Sequence, residues 1–184
     1  MRAPFLSLTA ALLALAALPA AAFELRSPDL SADKPMAMTQ VANGFGCTGG
    51  NVSPALSWSD PPAGTRSLAV TAYDPDAPTG SGWWHWLVFN LPASARSLPA
   101  GAGDAAGAKL PAGVVQSRTD VGSPGYFGPC PPVGDAPHRY IFTVHALKVD
   151  ALPMVTADSS GAMIGYFLTA NSLGTASLTA RFGR

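Results

Sequence analysis

Carboxylates and an imidazole lie close together in YDPDAPTGSGWWHWLVFN, residues 73–90 of a chain in which only 12% of residues are charged. Asp74 and Asp76 lie in a proline-rich corner, and His85 lies among three tryptophans. An Asp–His pair can act as a general base, and a histidine can carry the positive charge that an anionic ligand needs. A structural explanation is also open, because Asp-Pro-Asp readily forms a turn and buried histidines are common among aromatic residues.

A second group of candidate residues lies in the loop GPCPP, residues 128–132, and in the segment HRY that follows at 138–140. Proline has no N–H group, so only Gly128 and Cys130 keep a backbone donor in this loop. A stiff loop of this kind can present a few preset donors to a small ligand at low entropic cost. We therefore expect the loop to contribute to a binding site.

The elements that would position these residues are mostly strands. Short apolar runs between Gly and Pro residues predict a β-rich domain. The predicted elements are strands at 68–73, 83–91 and 139–149, a helix at about 160–173, and a last short strand within 177–184, with residues 98–137 mostly loop. Each candidate group lies near a strand end beside a proline-rich loop, which favours a shallow pocket at one edge of a sheet.

Side chains alternate between the two faces of a strand, which separates the histidines. In the third strand, His138, Tyr140 and Phe142 are predicted to share one face. His145 is predicted to face the other way, as a packing or surface residue. In the second strand, strict alternation places His85 with Trp83 and Leu87, opposite Trp84 and Trp86.

Catalytic and metal sites have weaker support. The sequence has no G-x-S-x-G and no H-E-x-x-H motif. His85, His138 and one aspartate could hold zinc, but the chain lacks the close His/Cys spacing that is usual for zinc ligands. We therefore predict no catalytic residue, no metal and no cofactor, and keep a hydrolase based on the Asp–His cluster as a less favoured alternative.

The N-terminal segment predicts export. Arg2 precedes the apolar run at 5–18, and Ala20-Ala21-Ala22 resembles a cleavage site, so residues 1–22 are predicted to be a signal peptide. The run is too short to cross about 30 Å of hydrocarbon. Residues 23–184 would then form one domain, periplasmic or secreted, with no stable membrane insertion.

The charge content limits the possible partners, and the cysteine content permits a disulfide. The formal net charge is zero and no Lys/Arg cluster is present, which argues against a nucleic-acid partner. An exported protein can form a disulfide, so Cys47 and Cys130 are either bonded to each other or are two separate buried thiols. The sequence alone leaves both arrangements open.

Taken together, five segments closely resemble the phosphatidylethanolamine-binding protein family, in its bacterial branch of Raf kinase inhibitor-like proteins. In chain order, the segments are FGCTGGNVSPALSW at 45–58, DPDAP at 74–78, WHWLVFNL at 84–91, GYFGPCPP at 125–132 and HRY at 138–140. The resemblance covers nearly all of residues 23–184.

The resemblance implies a mainly β single domain with a central antiparallel sheet, a smaller second sheet and a C-terminal helix. It also implies a pocket for phosphate, phosphoethanolamine-like headgroups or small carboxylates. Carried over by position, the expected ligand-binding residues are Asp74, Asp76, Pro78, Trp83, His85, Gly128, Pro131, Pro132, His138 and Tyr140.

The favoured function is therefore an exported, non-catalytic binder of a small anionic ligand or a phospholipid headgroup. The alternative is an inhibitor or interaction module that binds a protein partner through the stiff loops at 98–137. The chain departs from the family pattern at Phe182, where many relatives have a tyrosine. It also lacks the long extensions of eukaryotic members, so kinase inhibition is not expected.

Overall fold

Ten strands and one helix make up the structure, a computed structural model that describes residues 22–184. Residues 1–21 of the predicted signal peptide lie outside the described residues. The elements are β1 (Leu25–Arg26), β2 (Asn43–Gly44), β3 (Cys47–Thr48), β4 (Leu56–Trp58), β5 (Ser67–Asp74), β6 (Trp83–Pro92), β7 (Ser97–Leu98), β8 (Val115–Gln116), β9 (His138–Leu147), α1 (Gly161–Asn171) and β10 (Ser172–Phe182).

The strands form one large and one smaller antiparallel sheet, with a short hairpin. The large sheet has the order β10-β9-β5-β6-β8, the smaller sheet has the order β1-β4-β7, and β2 pairs with β3. With the helix just before the last strand, this architecture confirms the predicted mainly β fold. The predicted long loop at 98–137 contains β8, which adds an edge strand to the large sheet.

β5 is apolar on both faces because both faces of the large sheet are covered. Leu68 and Val70 pack in a cluster with Leu56 and Trp58 of the smaller sheet. Ala69, between them, packs in a second cluster with the helix residue Ile164. A strand that is buried on both sides reads as a continuous apolar run instead of an alternating one.

The helix begins and ends close to its predicted limits. Ser160 caps its first turn, since the side chain of Ser160 accepts a hydrogen bond from Met163 N at 3.3 Å. Ile164 and Leu168 are buried against the sheet. The last strand is longer than predicted because β10 starts at Ser172, directly after the helix. In residues 22–184, no helix has the length and apolar character needed to cross a membrane.

Two helix glycines offer a matched test of how the helix packs on Trp84. A Cβ atom on Gly161 would overlap the indole ring, whereas one on Gly165 would lie at an ordinary 3.4 Å from it. We expect Gly161→Ala to lower the free energy of unfolding by about 2 kcal/mol through overpacking. Gly165→Ala should be neutral or stabilising by up to about 1 kcal/mol, because alanine favours the helix. Urea unfolding measures both, and equal losses would contradict close packing of Gly161 on the indole.

Strict alternation fails in β6, where His85 is an extra residue. Tyr73 pairs with Trp84 and the next position, Ala72, pairs with Trp86, so His85 has no partner on β5. This irregularity is a β-bulge, which places two residues of one strand opposite one of the other. The bulge turns His85 toward the face of the sheet that carries Tyr140, whose ring centroid lies 5.1 Å away.

Because of the bulge, the predicted assignment of side chains to the two faces of β6 is partly wrong. Trp86 lies in the cluster beneath the smaller sheet. Trp84 and Leu87 lie on the helix side. Trp84 and Trp86 therefore do not share a face, and Leu87 does not face the same way as His85. In β9, which pairs regularly with β10 along 138–146, the predicted alternation is confirmed.

Candidate functional site

A pocket of ≈ 320 Å³ lies where the end of β5 and the starts of β6 and β9 meet two loops. We call it the main pocket. The residues that line it are Phe45, Asp74, Ala77, Pro78, Thr79, Trp83, His85, Phe127, Cys130, Pro131, Pro132, His138, Tyr140 and Arg184.

The structure brings eight of the ten predicted site residues to this pocket. They are Asp74, Pro78, Trp83, His85, Pro131, Pro132, His138 and Tyr140. Asp76 and Gly128 do not line it, and each has a structural role beside it.

Asp76 binds an arginine on the outer side of the pocket wall. Its carboxylate accepts hydrogen bonds from Arg139 N at 2.9 Å, Nε at 2.9 Å and Nη2 at 2.7 Å. The hydrogen bond from the Arg139 side chain lowers the pKa of Asp76 to about 2. Asp76 thus holds the start of β9 in place between the two pocket residues that flank Arg139. Asp76 therefore does not line the main pocket, and direct ligand binding by Asp76 stays a prediction.

Gly128 allows a close approach of two backbone segments. Its N–H donates to Asn51 Oδ1 at 2.8 Å, so this group is not the free donor that the sequence suggested. A Cβ atom here would overlap the carbonyl oxygen of Gln40 and lie 2.6 Å from Ala42 N. By contrast, no hydrogen bond in the described part of the chain uses the N–H of Cys130.

Asp74 and His138 form a buried pair in the pocket wall. Asp74 Oδ2 lies 2.8 Å from His138 Nδ1, and the two side chains are only 3% and 5% exposed. Asp74 Oδ1 accepts a hydrogen bond from Asp76 N at 2.8 Å, which is the turn that the Asp-Pro-Asp sequence favours. The same aspartate therefore closes the turn and orients the histidine.

The surroundings of His138 favour its protonated form. Burial by itself would lower the pKa of His138, but hydrogen bonds and charges from Asp74 and Asp135 outweigh burial and raise this pKa above its ordinary value. Asp135 Oδ2 lies 3.4 Å from His138 Nε2, toward solvent. His138 can therefore supply a positive charge to the pocket up to a higher pH than an ordinary histidine.

His85 differs from His138 in its electrostatics. Burial lowers the pKa of His85, so the ring is neutral. His85 Nδ1 lies 2.6 Å from Phe127 O and donates to it, since a carbonyl oxygen can only accept. The amide N of Phe127 donates to His85 O at 2.9 Å. His85 thus fixes the loop of residues 125–132 to β6 and keeps Nε2 as an acceptor.

Tyr140 lines the main pocket and carries a buried hydroxyl group. The residue is 1% exposed. Within residues 22–184, its buried hydroxyl makes no hydrogen bond. Burial also raises the pKa of Tyr140, so the hydroxyl stays a neutral donor. A buried hydroxyl without a partner costs free energy, which a ligand oxygen could recover.

His145 lies on the opposite face of β9, as predicted. Its Nε2 is 3.2 Å from Thr71 Oγ1. Burial lowers the pKa of His145 to about 4, so it is neutral at physiological pH. It takes no part in the main pocket and offers a control for the pocket histidines.

Several lining residues were missed by the sequence analysis. Ala77, Thr79 and Phe127 are immediate neighbours of predicted residues, so the motifs already pointed close to them, whereas Cys130 had been named only for its N–H group and as half of a possible disulfide. Phe45 and Arg184 are distant in sequence from the other lining residues and reach the pocket only through folding. Nothing in the local sequence pattern marks Arg184 as a pocket residue.

The two cysteines are bonded to each other in the structure. The disulfide Cys47–Cys130 joins β3 to the loop of residues 128–132, with a Cα–Cα distance of 6.0 Å. Closing a chain segment of this length is worth about 4 kcal/mol in the chain-entropy model. The bond fixes one wall of the main pocket, because Cys130 lines it.

Two further chemical features bear on the site. Within residues 22–184, no three His, Cys, Asp or Glu side chains are placed to hold a metal ion together.

The bond between Ala77 and Pro78 is trans, as are the other peptide bonds of the described residues. The cis form that an X–Pro bond permits is therefore not used at this corner.

Comparison with known proteins gives consistent matches. The profile of the phosphatidylethanolamine-binding protein family matches residues 27–183. The chain is 54% identical over 160 residues to the UPF0098 protein YbcL of Escherichia coli K12, which covers 87% of each chain. It is 53% identical over 159 residues to the UPF0098 protein YbhB of the same strain, covering 86% of this chain and 99% of YbhB.

Solved structures agree with the sequence matches. The crystal structure of E. coli YbcL, described as a new member of the mammalian PEBP family, superimposes with a TM-score of 0.86 at 51% identity. The match covers 89% of this chain and 99% of that one. The Chlamydia trachomatis homologue CT736 has a TM-score of 0.72 at 30% identity, with 89% and 98% covered. The chain therefore belongs to the phosphatidylethanolamine-binding protein family.

Proposed function

We propose that this protein is an exported, non-catalytic binder of a small anionic ligand, such as phosphate or a phosphate-containing headgroup. The observation that carries the proposal is the buried hydroxyl of Tyr140 in the main pocket, which makes no hydrogen bond within residues 22–184. An anionic oxygen is the acceptor that such a donor lacks.

The charges around the pocket support an anion. The carboxylate of Asp74 would repel phosphate, but both of its oxygens accept hydrogen bonds, one from His138 and one from the backbone. Protonated His138 balances this charge, and the guanidinium of Arg184 adds a second cation to the lining. The pocket can therefore accept a negative group without leaving it next to an unpaired carboxylate.

The size of the pocket limits the ligand. A volume of ≈ 320 Å³ is near the lower end for small-molecule sites. It suits a phosphate group or a headgroup such as phosphoethanolamine, whose ammonium could bond to the acceptor Nε2 of His85. The apolar walls formed by Trp83, Phe127 and the prolines would enclose the organic part.

Binding without catalysis is favoured by the state of the polar groups. Cys130 is held in the disulfide, and the Thr79 hydroxyl donates to the Gly82 carbonyl. Neither is free to act as a nucleophile toward a bound ester. Export is supported by the signal-like sequence of residues 1–22 and by the disulfide, which persists in oxidising compartments.

The proposal is tested by calorimetric titration of residues 23–184 with phosphate, phosphoethanolamine and acetate at pH 6 and pH 8. Acetate carries the same charge at pH 6 and pH 8, so any change in its affinity comes from a change in the protonation of the protein. We expect saturable binding that weakens at pH 8, because His138 loses its proton as pH rises through its raised pKa.

The matched controls are two histidine variants. His138→Gln should remove the pH dependence and weaken binding at pH 6 about tenfold, because the pocket loses the positive charge of the protonated imidazole. His145→Gln changes a buried histidine outside the pocket and should leave affinity unchanged. Equal affinity in all three proteins, or no binding of any probe, would contradict the proposal.

A further inference from the structure

Arg184 joins two segments of the pocket mouth that are far apart in sequence. Its Nε donates to Pro131 O at 2.6 Å, Nη1 to Gly46 O at 3.1 Å and Nη2 to Phe45 O at 3.4 Å. The side chain lines the main pocket and also a neighbouring groove. Arginine suits this place because its planar fork can reach several oxygens at once and stays charged at every physiological pH.

The segment that Arg184 holds is a strained turn between β2 and β3. Phe45 has a φ of 53°, a left-handed conformation that is unfavourable for a bulky residue. It is 69% exposed, so burial does not hold it there. Its ring contacts Phe127 edge-on, with centroids 5.5 Å apart. Strain of this kind is kept where surrounding contacts impose it, often at ligand clamps.

We propose that Arg184 is a positioning and specificity-determining residue of the main pocket. It holds the Phe45 turn against the loop of residues 128–132 and keeps a permanent positive charge at the pocket mouth. This inference rests on the proposed function, since it assumes an anionic ligand. It implies that anion binding persists, more weakly, at a pH where His138 is neutral.

Other charged groups contribute to the field that the ligand meets. The charged ones in the pocket or the neighbouring groove are Asp33, Lys34, Asp74, Asp135, His138 and Arg181, and the titratable groups His85 and Tyr140 are neutral. Arg181 provides the matched control. It lies three residues before Arg184, carries the same charge and lines the groove but not the main pocket.

The test is titration with inorganic phosphate at pH 6 and pH 9, using the wild type and three variants. Arg184→Gln should weaken binding about tenfold at pH 6 and abolish measurable binding at pH 9, where the wild type still binds. Arg184→Lys keeps the charge but loses the fork, so we expect a loss of about threefold. Arg181→Gln should stay within about twofold of the wild type, because Arg181 lines the groove but not the main pocket.

A second readout needs no ligand. Hydrogen exchange by NMR at the amide of Gly49, which donates to Ala42 O at 2.8 Å at the base of the β2–β3 hairpin, should be faster in both Arg184 variants and unchanged in Arg181→Gln. Equal affinities in Arg184→Gln and Arg181→Gln, or unchanged exchange in the Arg184 variants, would overturn this inference alone. A wild-type protein that binds no phosphate would overturn the proposed function together with it.

Discussion

Gly128→Ala is expected to lower the free energy of unfolding by about 4 kcal/mol, a loss at the high end for a single substitution. The new Cβ atom would overlap Gln40 O and lie 2.6 Å from Ala42 N, and both are backbone atoms. A rotamer change cannot relieve such an overlap. The backbone would have to move apart, which breaks the hydrogen bond from Ala42 N to Pro129 O at 3.1 Å.

This loss is measured by chemical denaturation with the disulfide intact, and Gly165→Ala serves as the control. Both variants add one methyl group at a glycine, but only Gly128 faces backbone atoms too close to accommodate it. A loss below about 1 kcal/mol, the ordinary effect of a mutation, would show that the loop can shift freely. That result would contradict a packing role for Gly128 in the loop of residues 128–132.

Asp74→Asn is expected to destabilise the protein by about 3 kcal/mol at pH 6, because it removes the charge partner of a buried histidine. A group whose folded pKa is raised adds stability below its unfolded pKa, and that stability is lost as pH rises through the folded pKa. The pKa of His138 is raised above 6.5. The difference between the wild type and the variant should therefore be largest below about pH 6.5 and shrink at higher pH.

Urea unfolding at pH 5.5 and pH 9, with an NMR titration of His138, measures this effect. Asp135→Asn is the matched control, since it removes a carboxylate from the other side of the same imidazole. That carboxylate is 42% exposed and 3.4 Å away, so its removal should cost less than about 1 kcal/mol. A pH-independent difference for Asp74→Asn, or an unchanged titration of His138, would contradict the charge pairing.

Much of the scaffold could be predicted because it follows from local patterns. Apolar runs between Gly and Pro residues located three of the four long strands, β5, β6 and β9, and helical spacing located α1. Regular alternation placed His138 and Tyr140 on one face of β9. In β6 the same rule failed at the bulge beside His85, because an extra residue in a ladder depends on pairing with another strand.

The composition of the pocket was predictable only in part. The motif DPDAP brought Asp74 and Asp76 together, but sequence could not show that one faces the pocket and the other binds Arg139 behind it. Gly128 was expected to act as a donor, whereas its neighbours use it for close packing. Arg184 reaches the pocket only through contacts with residues far away in the chain, which no local pattern reveals.

The most direct test of anion binding in the pocket is the Tyr140→Phe variant, studied by phosphate titration and by urea unfolding. The change removes only a buried hydroxyl that has no partner within residues 22–184, so the free energy of unfolding should stay the same or rise by about 1 kcal/mol. Affinity for phosphate should fall at least about tenfold. A stable variant that binds phosphate as tightly as the wild type would contradict anion binding at this hydroxyl.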